Sequence, residues 1–338
     1  MLRFSFPNLC SFTGWNPLIC CLDCSYITEQ EYTPDFLVDG YNEANEKCLE
    51  EYYEKFPCRE YGGDFEQLDD TVLCERQPRS RSPFPVESGG GTAIKAVYPH
   101  MALIGYGVDR STAQWMCGGS IITHRYILTA AHCISSPTLG EVRYAALGVM
   151  ARTEDPFLWQ IYDIVKIMPY PEYEPPSKYH DIALLATGAR IRYNRDVLPA
   201  CLNRKDHLPR IATVTGWGAL GRRKPLTEVL QTVAVYNYPD DECAEAYPEH
   251  RHLETGYDPE TQACYGDQEH ESDTCEGDSG GPLQVIAKNK DEREKCFHTV
   301  YGVTSYGKAC GYVGSSGLYT RVSAYVSWIE SITGDLVV

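Results

Sequence analysis

Fifteen cysteines in a chain of 338 residues constrain this protein more than any other feature of its sequence. A reducing compartment tolerates so many thiols only where they bind metal. Zinc-type spacing is missing, because Cys21-Leu-Asp-Cys24 stands alone without a second CxxC or a matching histidine pair. The count therefore points to an oxidised, extracellular chain stapled by disulfides, with one thiol left over because the number is odd. Neither a metal nor a cofactor is expected.

Apolar residues at 43% and charged residues at 23% allow a buried core. No stretch approaches a membrane span, so a membrane is not expected as a partner. The net charge is −17, and residues 1–88, with 7 Lys and Arg against 17 Asp and Glu, carry most of it. Phosphate contacts need a basic face, which argues against nucleic acid as a partner. The acidic front segment reads as solvated surface.

Three segments differ in texture. Met1 to Ile19 holds Pro7, Asn8, Asn16 and Pro17 where a secretory leader needs an apolar core, which conflicts with the cysteine usage and suggests an incomplete N-terminus. Residues 25–88 are acidic and Tyr-rich, with a short helix expected over Asn42–Lys55. They run through Gln77-Pro-Arg-Ser-Arg-Ser-Pro-Phe-Pro85, which reads as a linker with an exposed basic stretch. From Gly89 onward, β-type runs alternate with Gly, Pro and Asp/Asn turns, as at Ser120–Thr129, Ile211–Trp217, Leu230–Tyr238 and Thr299–Tyr306. No strand–helix alternation appears, so an antiparallel barrel or sandwich is expected. Only the end reads as helical, since Val322, Tyr325, Val326, Ile329 and Ile332 keep one face apolar.

The strongest chemical signal is Asp273-Thr-Cys-Glu-Gly-Asp-Ser-Gly-Gly-Pro282, a glycine-dense turn around a serine. Such a turn can set the Ser279 hydroxyl beside the N–H groups of Gly277 and Ser279, giving a nucleophile with an oxyanion site. Alone it reads as an ordinary Gly-rich loop. Serine needs a base, and His132 in Tyr126-Ile-Leu-Thr-Ala-Ala-His-Cys133 ends an apolar run beside a cysteine. Asp181 in His180-Asp-Ile-Ala-Leu-Leu185 places a charge at a strand mouth. Singly, the histidine reads as a satisfied core or surface residue and the aspartate as a turn residue. Order along the chain separates two hydrolase classes. An α/β-hydrolase needs Ser, then acid, then His, whereas His132, Asp181 and Ser279 follow the chymotrypsin-like order.

That order, together with Trp115-Met-Cys-Gly-Gly-Ser-Ile121, Leu128-Thr-Ala-Ala-His-Cys133, Pro199-Ala-Cys-Leu202, Gly216-Trp-Gly218 and Gly317-Leu-Tyr-Thr-Arg-Val322, resembles the chymotrypsin-like serine proteases over residues 89–338. The resemblance implies an all-β fold of two antiparallel Greek-key β-barrels with a C-terminal α-helix, preceded here by a poorly ordered N-terminal extension. It implies disulfides Cys117 with Cys133, Cys243 with Cys264 and Cys275 with Cys310. Cys201 would be held by Cys74, with Cys48 as second choice. Asp273 would lie at the base of the primary pocket with Gly307 and Gly317 leaving its walls open, so that Arg or Lys precedes the cut bond. Ser305, Tyr306 and Gly307 would pair with the substrate main chain as an added strand. Protein substrates follow, in particular downstream zymogens, together with serpin-type inhibitors.

At the front, Cys10-Ser-Phe-Thr-Gly-Trp-Asn-Pro-Leu-Ile-Cys20-Cys21 is similar to the closing segment of an arthropod clip domain, so residues 1–24 read as a clip remnant. The whole chain is similar to clip-domain proteases of the Snake and Persephone type. One departure stands out. Activation in this family frees an Ile or Val whose amine pairs with the aspartate before the serine, here Asp278. Ser88-Gly89 occupies that place with no basic residue before it. The departure keeps open a non-catalytic homologue that binds partners without turnover.

Overall fold

The computed structural model describes residues 9–13, 16–19, 91–92, 97–194, 196–219, 224–267, 278–286, 298–307 and 315–334. The expected Asn42–Lys55 helix and the basic linker lie outside the described residues. Residues 86–287 and 296–338 form one compact unit. A short antiparallel hairpin, β1 (Leu9–Thr13) and β2 (Asn16–Ile19), belongs to the other, within the segment read as a clip remnant.

The larger unit consists of two closed antiparallel barrels. After the two-residue β3 (Gly91–Thr92), the first barrel is made by β4 (Met101–Tyr106), β5 (Gln114–Ile121), β6 (Tyr126–Thr129), β8 (Gly140–Leu147), β9 (Gln160–Pro169) and β10 (Ala183–Thr187). The order is β4-β5-β6-β10-β9-β8, with β4 pairing back to β8 and the two-residue β7 (Ser135–Ser136) attached to β8. Closure removes the open sheet edges that short β runs would otherwise expose. Ile104, Ile121, Ile127, Leu128, Leu147 and Leu184 on its strands are all buried. The run read as one strand over Ser120–Thr129 is in fact two. Thr123 Oγ1 accepts from the amides of Arg125 and Tyr126, each at 3.1 Å, and makes the turn between β5 and β6.

The second barrel uses β12 (Ile211–Gly216), β13 (Gln231–Asn237), β14 (Gln262–Gly266), β15 (Pro282–Ile286), β16 (His298–Gly307) and β17 (Ser316–Arg321). The order β16-β15-β12-β13-β14-β17 closes through β16–β17, while β3 pairs with β13 and β11 (Cys201–Leu202) lies parallel beside β16. Val214, Val235, Tyr265, Leu283 and Tyr319 build its core. Tyr265 can sit there because its hydroxyl donates to the Pro209 carbonyl at 2.7 Å. The short helix α1 (Asp240–Ala246) buries Cys243, which is bonded to Cys264 on β14. At the end, one 3-10 turn over Val322–Tyr325 leads into α2 (Val326–Thr333). Val322, Tyr325, Val326 and Ile329 are buried and Ile332 half-buried, the apolar face read from their spacing.

Two histidines lie inside this structure. His100, just before β4, and His298, at the start of β16, are both buried with ring centroids 4.8 Å apart. Gln284 offers the His100 ring a marginal side-chain hydrogen bond, and neither ring nitrogen of His298 has a partner among the described residues. Burial lowers His100 from 6.5 to about 4, opposed slightly by neighbouring Gln284. Burial and the adjacent His100 hold His298 well below its ordinary value. The unfolded chain takes protons on these rings near pH 6.5, but the folded protein resists until about pH 4 at His100. Stability is therefore complete above about pH 7 and falls as pH drops through that window, by about 1.4 kcal/mol per pH unit for each ring. Thermal midpoints should be flat from about pH 8 to 7 and fall between about pH 6.5 and 5, above the carboxylate range. The double variant His100→Met/His298→Met should lose most of that slope in scanning calorimetry.

Candidate active site

His132 sits where the apolar β6 run gives out. Ile127 to Ala131 are buried, and a 3-10 turn over Ala131–Ile134 then brings the imidazole to the surface with 26% of its side chain exposed. The next residue, Cys133, is bonded to Cys117 on β5, and Tyr106 donates its hydroxyl to the Cys133 carbonyl at 2.5 Å. Covalent and hydrogen-bonded ties therefore fix the backbone on the carboxyl side of the ring.

Asp181 is fully buried, two residues ahead of β10. His180 before it holds a φ of 55°, a left-handed conformation uncommon for a non-glycine residue. Tyr325 Oη lies 2.9 Å from His180 Nδ1, and the Tyr170 ring stacks on the imidazole at 5.2 Å. The Asp181 carboxylate then collects donors from both barrels. Oδ1 accepts the His132 amide at 2.8 Å, while Oδ2 accepts His132 Nδ1 at 2.7 Å and the Ser305 hydroxyl at 2.5 Å. Burial alone pushes this carboxyl up, but the His132 charge and these hydrogen bonds outweigh it and hold the group below its ordinary value. An ionised carboxylate on Nδ1 fixes the ring orientation and leaves Nε2 for proton transfer.

Ser279 lies on the turn before β15. Gly281 N–H donates to the Asp278 carbonyl and Gly280 N–H to the Thr304 carbonyl, both at 2.9 Å, and the Ser279 carbonyl accepts Gly118 N–H at 2.8 Å. Gly280 has a φ of +78°, and a Cβ there would stand 2.2 Å from Thr129 Oγ1 and 2.5 Å from the Gly118 carbonyl. Only glycine permits that turn to press against β5 and the end of β6, three residues before His132. The structure draws no hydrogen bond from Ser279 Oγ to His132 Nε2, and Nε2 instead lies 3.7 Å from Cys133 Sγ. Unliganded catalytic hydrogen bonds are commonly long and tighten when substrate arrives.

The remaining candidates divide into two groups. Asp278 points its carboxylate at the Gly216–Gly218 segment, with Oδ1 accepting Gly218 N–H at 2.9 Å, and a Cβ at Gly218 would lie 2.3 Å from Oδ2. Gly307 and Gly317 are direct partners across β16–β17, and Tyr306 stands beside Ser305 on β16. Cys201 is disulfide-bonded. Asp273, Gly277, Cys275, Cys310 and Cys74 lie outside the described residues. Cys117, His132 and Cys133 are close enough together to hold a metal ion, but both sulfurs are already in one disulfide.

Two contacts to Asp181 were not readable in the sequence. The Ser305 hydroxyl serves the buried carboxylate, and Thr320 Oγ1 on β17 donates to the Asp181 carbonyl at 2.9 Å. A hydroxyl inside each of two buried apolar runs was the available signal, without its partner.

Two closed six-stranded barrels, with a buried aspartate holding a partly exposed histidine where they meet, define the chymotrypsin-like class of protein. The chain belongs to the trypsin family, whose profile matches residues 87–329. It is 32% identical to Serine protease snk of Drosophila melanogaster, over 86% of this chain and 67% of that protein. It is 34% identical to Serine protease Hayan of the same species, over 77% and 41%. It is also 33% identical to Venom serine protease Bi-VSP of Bombus ignitus, over 70% and 66%. The chain thus spans between about two fifths and two thirds of the length of these relatives.

Removing the Ser305 donor leaves Asp181 one hydrogen bond short in a site closed to water. Ser305→Ala should lower stability at neutral pH by about 1.5–3 kcal/mol, the range for a hydrogen bond to a charged group. Urea unfolding measures this, and a loss under about 0.5 kcal/mol would assign the hydroxyl no part in holding the carboxylate.

Proposed function

We propose that this protein is a secreted serine endopeptidase that cleaves other proteins after Arg or Lys, with zymogens of a proteolytic cascade as its substrates. The observation that carries the reading is the buried Asp181 carboxylate on His132 Nδ1. A buried charge is costly and persists only when well paired, and this pairing prepares an imidazole to act as a base. His132 takes the Ser279 proton on Nε2 as Oγ attacks the substrate carbonyl, then returns it to the leaving amine. The Gly277 and Ser279 amides stabilise the oxyanion, and water, activated by the same imidazole, releases the acyl group. Asp273 pairs with the substrate cation between walls left open by Gly307 and Gly317. Serpin-type inhibitors would engage the same groove.

Secretion is supported by the Cys117–Cys133 and Cys243–Cys264 disulfides, which persist in oxidising compartments. Among the described residues no helix is long and apolar enough to cross a membrane. Residues 1–24 are read as a clip remnant and 25–88 as a linker to the protease domain at 89–338.

The second reading, a homologue that binds without turnover, rests on Ser88-Gly89 at the place of the activating Ile-Val. Ser88 offers little apolar surface to bury, and a trypsin-like activator would not cut after Glu87. Immobilised trypsin should therefore nick the linker at Arg79 or Arg81 with little gain in activity. Replacing Glu87-Ser88-Gly89 with Arg-Ile-Val should make the same treatment activating. Full activity of the unaltered chain after the Arg81 cut would remove the case for the second reading.

On the activated chain, peptides ending in Arg should be hydrolysed and Ser279→Ala should abolish turnover. Asp273→Ser should cut kcat/KM for Arg and Lys by orders of magnitude, since the substrate cation is then desolvated without a partner. Equal rates in the Ser279→Ala variant and its parent would reject the protease reading. A retained Arg preference in Asp273→Ser would assign selectivity elsewhere.

A further inference from the structure

A group of cations gathers beside Tyr306 in an otherwise acidic protein. The Lys178 ammonium lies 5.0 Å from the Tyr306 ring centroid, and Lys178 N–H donates to the His252 carbonyl at 2.8 Å. His250 approaches the other side of the neighbourhood, its ring centroid 6.2 Å from Tyr306 and 6.1 Å from His252. Arg251 is exposed between them. His252 is held below its ordinary value by burial and then by the charges of Arg251, Lys178 and His250, so these cations feel one another. Glu249 and Glu254 flank the loop, both exposed, and neither they nor Lys178 and Arg251 form an ion pair among the described residues. Like charges held together without a carboxylate between them are an unmet electrostatic demand for an anion.

Their place ties them to the reaction. Lys178 is three residues before Asp181, and Tyr306 follows Ser305, whose hydroxyl is bonded to Asp181. The cluster therefore borders the strand on which the main chain of a substrate would be added. Side chains on an added strand alternate between faces. Gly307 faces its partner Gly317 at the pocket wall, and Tyr306, one residue earlier on the strand, belongs to the other face. With the Arg or Lys of the substrate in the pocket, the residues one and three positions before it turn toward Tyr306. The acyl part of the substrate is the part so held, because it carries the pocket residue and stays on Ser279 when the amine leaves.

Resting on the endopeptidase reading, we propose that Lys178 and Arg251, with the His250 and His252 rings beside them, make this site select substrates with Asp or Glu one and three residues before the Arg or Lys at the cleaved bond. The Tyr306 face holds the Lys178 ammonium 5.0 Å from its centroid, and the N–H groups not turned to the ring can donate to an incoming carboxylate. Surface pairs of this kind are each worth a factor of about 1.5 to 5 in binding, so two of them multiply to between about twofold and 25-fold, and a preference of about fivefold to tenfold lies at the middle of that range.

The test uses the full chain carrying Arg-Ile-Val in place of Glu87-Ser88-Gly89, cut with immobilised trypsin and then freed of it, on two peptides ending in a chromogenic Arg amide. One carries Glu at both positions and the other Gln. The acidic peptide should show kcat/KM about fivefold to tenfold higher at low ionic strength, mainly through KM, with the ratio shrinking at about 0.5 M salt as the charges are screened. Lys178→Ala/Arg251→Ala should bring the ratio close to one, and Lys178→Glu/Arg251→Glu should invert it. Equal rates for the two peptides in the parent, or an unchanged ratio in both double variants, overturns the proposal while leaving the endopeptidase reading intact. Hydrolysis of neither peptide by the activated parent overturns the endopeptidase reading, and this selectivity with it.

Discussion

The Asp181 carboxylate is the constraint around which the two barrels are arranged. A carboxylate with no exposure costs several kcal/mol unless its oxygens are filled. The donors come from parts of the chain far apart in sequence, namely His132 at the end of β6 and Ser305 near the end of β16, while Thr320 on β17 holds the aspartate's own carbonyl. His132 and Asp181 come from the first barrel, by β6 and β10, and Ser305 and Thr320 from the second, on β16 and β17. Docking the barrels and solvating the carboxylate are therefore a single event, and each element that moved away would leave a charge or a carbonyl unpaired.

The loop with Ser279 meets a different constraint, one of space. Gly280 presses against Thr129 and Gly118, and Asp278 lies over Gly218 so closely that a methyl group at either glycine would overlap its neighbour. All four residues from Asp278 to Gly281 take part in backbone hydrogen bonds to β5, to β16 or across the turn. The serine is presented by backbone contact rather than by its own side chain, which leaves the hydroxyl free of structural duty.

Polar groups are handled in opposite ways inside and outside this molecule. His100 and His298 stay neutral because burial strips their rings of the water that a charged imidazole needs. Lys178, half-buried beside Tyr306, and the exposed Arg251 lie at the surface, and the surplus of negative charge elsewhere in the chain makes their local field stand out. Burial silences the first pair as electrostatic actors at neutral pH, whereas the second pair lies where an incoming anion can reach it.

Much of this was legible before any coordinates. Short β runs broken by turn residues gave the all-β class, and the spacing of Val322, Tyr325, Val326 and Ile329 gave the terminal helix, since both are local periodicities of the chain. The order of His132, Asp181 and Ser279 named the candidate chemistry because catalysis by serine demands a base and an orienting acid. The break between β5 and β6 was missed because the Thr123 turn is made by a single hydroxyl inside an apolar run. Ser305 and Thr320 as supports of Asp181, the His100–His298 contact and the gathering of Lys178 with the His250–His252 loop at Tyr306 were decided only by tertiary structure. Each joins residues that no local period relates. The sequence by itself determined which residues carry charge, hydroxyl or apolar surface and which local element each prefers. Only the closing of two barrels against each other decided which charge met which donor, because those distances depend on strand register and sheet closure rather than on separation along the chain.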